Sequence, residues 1–165
     1  MMTEFVEFIS GGNLILILIF TAFICLLLGM GLPTTANYIV VSTLMAPVIV
    51  TLGAQNGLIV PLIAVHMFVF YFGILADDTP PVGLAAFAAS AIAHSDPIRT
   101  GIQGFTYDIR TGILPFLFIF NNELLMIGIE NVWHLLVTIA SAVMAMLMFA
   151  AATQGFFVVR SRWWE

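Results

Sequence analysis

Apolar positions along the chain gather into long runs of unequal length. Leu14–Leu28 is apolar apart from Thr21 and ends at the tip sequence GMGLPTT (Gly29–Thr35). Ile39–Leu52 is mostly apolar and contains Pro47. A spanning helix needs ~20 apolar residues, so neither run crosses a bilayer comfortably by itself. Joined by a Gly/Pro/Thr tip, the two predict a re-entrant helical hairpin over residues 14–52 whose tip stops within the membrane. Gly57–Ala76 is long enough to span; it ends at DDTPPVG (Asp77–Gly83), after which the apolar pattern resumes at Leu84–Ala93. Consecutive prolines at 80 and 81 remove two backbone donors and forbid a continuous helix. Residues 57–93 therefore predict one transmembrane helix broken in the middle. Irregular backbone at membrane depth survives only where protein or a water-filled cavity satisfies it. Both breaks, at 29–35 and 77–83, are thus expected to face a site.

The remaining pattern predicts a polar loop over 94–111, a weakly apolar membrane segment over 112–129, a spanning helix over 132–152 and a tail over 153–165. The tail holds the aromatic–arginine sequence FFVVRSRWWE, which suits a headgroup region. Arg99 and Arg110 fall in the 94–111 loop and Arg160 and Arg162 in the tail, whereas the turn at 121–131 carries Glu123 and Glu130 but no basic residue. The positive-inside rule then makes the loop and the C-terminus cytoplasmic.

Composition narrows the class. Of 165 residues, 62% are hydrophobic and 8% charged, and mean hydropathy is +1.14. Too few charges remain to clothe a soluble globule, and a basic-patch nucleic-acid binder is excluded. The expected fold is an all-α polytopic membrane protein in contact with the lipid bilayer. Cys25, the one cysteine, lies inside an apolar run and reads as a small buried hydrophobe. The acidic opening MMTEFVEFIS lacks the positive start of a secretory signal.

Two stretches carry candidate chemistry. In Gly29–Asn37, glycines permit close backbone approach, Pro33 frees carbonyls from a regular ladder, and Thr34, Thr35 and Asn37 supply side-chain oxygens. Such oxygens suit a hard cation such as Na⁺, and the helix start that follows turns a positive dipole end towards a carboxylate. The plainer alternative is a turn between two interfacial helices. In Asp77–Gly83, two acids follow an apolar run directly, which is expensive if they face lipid. They are either a solvated helix end or part of the broken helix. In the latter case the Thr79 hydroxyl and the carbonyls of Pro80–Gly83 form a second set of cation ligands, with Asp78 adding charge or capping the next helix. His66, mid-run, reads as a buried, hydrogen-bonded neutral imidazole, and His134 as interfacial. No Walker, H-E-x-x-H, C-x-x-C or G-x-S-x-G pattern is present. The chain is therefore not expected to be an enzyme. An intramembrane aspartyl enzyme using Asp77, Asp78 and Asp108 is a distant alternative.

LLLGMGLPTTANYIV and HMFVFYFGILADDTPPVGLAAFAASAIAHSDPIRTG together resemble the C-terminal part of the large membrane subunit of TRAP transporters, the tripartite ATP-independent periplasmic transporters. The similarity is closest to fused small-plus-large permeases that work with TAXI-type binding proteins, and it covers roughly residues 10–125. It implies one inverted repeat of an elevator-type, ion-coupled transporter in a bacterial or archaeal inner membrane, importing organic acids. The partners implied are an extracytoplasmic solute-binding protein, the remaining part of the permease and a carboxylate substrate. The coupling ion is sodium, and no other cofactor is implied. By matching motifs, the sodium ligands are Gly29, Gly31, Pro33 and Thr34 at the tip and Thr79, Pro80 and Gly83 at the break. Thr35, Asn37 and Asp78 are candidate substrate-binding residues. A fused permease has many more membrane segments, so the chain reads as a fragment or separately encoded half, with a non-transporting remnant or assembly protein as the alternative.

Overall fold

The computed structural model describes residue 8 and residues 11–77, 79, 83–108, 110–157 and 159–160. Among these the chain is helical: α1 Leu14–Gly29, α2 Thr34–Gln55, α3 Leu62–Leu75, α4 Leu84–Ala93, α5 Pro97–Asp108, α6 Leu114–Phe120 and α7 Val132–Gln154. A short 3-10 helix, Asn122–Leu125, follows α6. The one extended piece among the described residues is a minimal antiparallel pairing of Phe156–Phe157 with Val159–Arg160 after α7.

Local chemistry sets the ends. Asn13 caps α1, its Oδ1 accepting the amides of Ile15 at 3.0 Å and Leu16 at 3.5 Å. Asp96 caps α5 through the Arg99 amide at 2.8 Å, with Pro97 in the first position where its missing N–H costs nothing. Asn131 caps α7 through the His134 amide at 2.8 Å, and Gly155 ends it at φ 61°.

Several elements differ from the pattern reading. Helix α2 runs through Pro47 and on to Gln55, so at 22 residues it is long enough to span. Pro47 leaves the Thr43 carbonyl without its usual donor, while the Thr43 hydroxyl donates to Ile39 O at 2.8 Å within the same helix. The run 57–76 is helical only over Leu62–Leu75, because Gly57 takes φ 74° and Pro61 holds the residue before it extended. At 14 residues, α3 is about 21 Å long against a ~30 Å hydrocarbon core. The 94–111 segment is mostly the helix α5. Residues 112–129 yield only the seven-residue α6, since Asn121 leaves helical geometry and Met126 turns left-handed at φ 60°. Among the described residues α2 and α7 are the helices with spanning length and composition.

The core is a three-helix bundle of α1, α2 and α3, with α6 laid on the far side of α3. Ile17, Leu18 and Cys25 from α1 meet Val41, Met45 and Ile49 from α2 and Val65, Phe68 and Val69 from α3. Phe116 of α6 packs edge-on against Phe68 and Phe72, at centroid distances of 5.1 and 5.9 Å. Helices α4 and α5 form a separate hairpin, and α7 buries no residue.

Candidate functional site

The two interruptions read from the sequence meet in space. Gly29, Met30, Gly31, Leu32 and Pro33 from the hairpin tip line one groove with Ala76, Asp77 and Leu84 from the break, enclosing about 350 Å³. Four helix ends therefore surround one space: the C-termini of α1 and α3 and the N-termini of α2 and α4. Helix C-termini present unpaired carbonyls and partial negative charge, and N-termini present free N–H groups and partial positive charge. Such a groove can hold a cation beside an anion.

The approach that closes the groove depends on glycine. A Cβ on Gly29 would overlap the methyl of Ala76 and stand 2.8 Å from the Asn37 amide nitrogen. Gly73, one turn before Ala76, likewise faces that amide. These small residues let the end of α1 sit directly on α3. The sequence pattern points to Gly29 but not to Gly73 and Ala76; their signal is small residues at i and i+3 closing an otherwise bulky helix.

The individual residues fall as follows. Gly29 is buried, and Gly31 and Pro33 are exposed at the tip. Thr34 opens α2 and is partly buried, whereas Thr35, beside it, is exposed. Asn37 is wholly buried, and its Nδ2 donates to the Cys25 carbonyl at 2.8 Å, tying α2 to α1. Its Oδ1 is buried with no partner among the described residues. At the break, the Thr79 hydroxyl donates to Leu75 O at 2.7 Å, which turns its lone pairs away from that carbonyl. Gly83 is buried and caps α4, its amide donating to Thr79 O at 3.1 Å. Asp77 is partly buried at the groove wall. Asp78 and Pro80 lie outside the described residues. Asp108 is not with Asp77: it lines a different groove, beside α7. His66 makes one hydrogen bond, Nδ1 to the Tyr38 hydroxyl at 2.9 Å. His134, at the start of α7, lies 3.2 Å from Glu123.

Paired interruptions facing one groove, on apolar helices of which α1, α3 and α4 are too short to span alone, fit a helical membrane protein. Residues 1–133 match the family described as tripartite ATP-independent periplasmic transporter, DctM component, and residues 135–165 match a domain of unknown function, DUF3394. The chain belongs to the DctM family of TRAP-transporter permease components, which are inner-membrane transporters and not enzymes. No curated protein and no solved structure matches it.

Proposed function

We propose that the chain supplies part of the transport site of a sodium-coupled TRAP permease that imports carboxylates received from an extracytoplasmic solute-binding protein. The observation that carries this reading is the convergence of four helix ends, two of each polarity, on the Gly29–Pro33 and Ala76–Leu84 groove. Backbone oxygens of Gly29, Gly31 and Pro33, with Thr34, hold sodium from the tip side. Thr79, Pro80 and Gly83 hold it from the break. The Thr79 hydroxyl suits this role because its proton is committed to Leu75 and its oxygen is left to act as a ligand. The carboxylate binds at the start of α2, where Thr35 is exposed beside the positive end of the helix.

All four basic residues, Arg99, Arg110, Arg160 and Arg162, lie away from both breaks in sequence. Substrate charge is therefore balanced by helix ends, the coupling ion and the remaining part of the permease. That part completes the second repeat, against which this one moves as an elevator, with the C-terminus on the cytoplasmic side.

The test is uptake of radiolabelled organic acids by proteoliposomes holding the whole permease, with its binding protein outside, over a range of Na⁺. Thr34→Ala and Thr79→Ala should each raise the Na⁺ needed for half-maximal uptake about tenfold, the equivalent of ~1.4 kcal/mol per lost ligand. Unchanged sodium dependence in both variants would remove these residues from the site.

A further inference from the structure

Resting on the reading of the groove as the transport site, we infer that Asn37 is a positioning residue, a clasp that holds the hairpin shut behind its tip. It spans three helices at one level. Its side chain starts on α2, its Nδ2 donates to Cys25 O of α1 at 2.8 Å, and the same nitrogen lies against the bare Cα positions of Gly29 and of Gly73 on α3. It is 0% exposed. No other side-chain hydrogen bond joins α1 to α2 near the tip among the described residues. At the opposite end of the bundle Asn56 plays the matching part, its Nδ2 bonding Gly12 O at 2.9 Å and Leu52 O at 2.8 Å.

The placement gives the clasp leverage. Cys25 lies one helical turn before Gly29, and Asn37 lies one turn after Pro33. A single hydrogen bond therefore closes the loop that carries the tip carbonyls. When it breaks, the two arms part, Gly29 leaves the Ala76 ledge and the groove loses one wall. The buried Oδ1, unpartnered among the described residues, makes the shut state costly enough to be reversible. Asn37 thereby acts on ion and substrate through the tip: opening releases them and closing retains them.

Cys25 reports the state of the clasp directly, because its side chain is buried and its carbonyl is the acceptor. The experiment alkylates the complete permease in nanodiscs with N-ethylmaleimide and follows the Cys25 peptide by mass spectrometry. Asn37→Leu keeps the branched shape and loses the donor; Asn37→Ala loses both. Each should alkylate Cys25 roughly fivefold faster than the native protein, in line with a hydrogen bond of ~1 kcal/mol net. In uptake assays Asn37→Leu should raise the half-saturating Na⁺ about fivefold while the maximal rate stays within about twofold. A residue that only kept the fold intact would lower the maximal rate and leave half-saturation alone. A folded Asn37→Leu permease alkylating at the native rate overturns the inference. Should both variants fail to assemble, hydrogen exchange on the native permease decides. Amides of residues 26–37 must then open together and at the rate of Cys25 alkylation, and opening only on global unfolding overturns it. Faster alkylation with no Na⁺ response in any form keeps the clasp and removes sodium from the proposed function.

Discussion

Helices α3 and α7 are both apolar almost throughout, yet they live in different surroundings. Helix α3 buries Val65, Phe68, Val69 and Phe72 among α1, α2 and α6. Helix α7 buries nothing and presents Leu136, Val143, Met144 and Leu147 outward. The two differ in length, although α2, also of spanning length, packs in the core. At 23 residues, α7 is about 35 Å long and satisfies its own backbone across a bilayer. At 14 residues α3 cannot, so protein must meet its ends. The end of α3 at Ala76 thus needs neighbours, and it is met by the tip residues Gly29–Pro33 across the groove.

The largest expected effect tests the buried side. Phe68 is fully enclosed and stacks on Phe72 and Phe116. Phe68→Ala should cost about 3 kcal/mol, the low end for a truncated core aromatic, because in a bilayer the loss is of packing rather than of transfer from water. Reversible unfolding of the permease in mixed micelles measures it. A cost below ~1 kcal/mol would mean that α3 is not the packed centre.

Next in size is the contact that closes the groove. Gly29→Ala forces a methyl into Ala76 and should destabilise by about 1–3 kcal/mol. Ala76→Gly in the same chain should recover part of that loss, since it removes one of the two clashing atoms and leaves Asn37 Nδ2 at 2.8 Å. The double-mutant cycle reads the coupling directly, and additive effects would show that the tip and the break do not touch.

The same comparison shows what can be read in the residues alone. The two breaks are legible because glycine, proline and threonine clustered at the end of an apolar run interrupt a helix by their own backbone chemistry. Their convergence is expected from that pattern, but its means is not: Gly73 and Ala76 look like ordinary apolar helix until Gly29 is laid against them. The extents of α2 and α3 depart from the apolar runs for opposite reasons. Pro47 costs α2 one backbone bond without stopping it, and an unbroken apolar run hides the extended entry that Pro61 imposes. Hydropathy makes residues 112–129 a membrane segment because it does not register Asn121 leaving the helix. Asn37 stands out as polar near the tip, but no one-dimensional pattern points it at Cys25.

The smallest expected effect tests the open side. Met144, near the middle of α7, is 65% exposed. Met144→Ala should change stability by less than about 0.5 kcal/mol when the chain is studied in lipid, where acyl chains replace the lost contacts. The comparison with Phe68 is informative because both are large apolar side chains in apolar helices, so hydropathy assigns them similar worth. If the same substitution costs more than ~1 kcal/mol in the assembled permease, α7 is packed there by other segments. The distinction between the two helices would then be one of order of assembly: α3 enclosed within the chain, α7 only once the rest of the permease arrives.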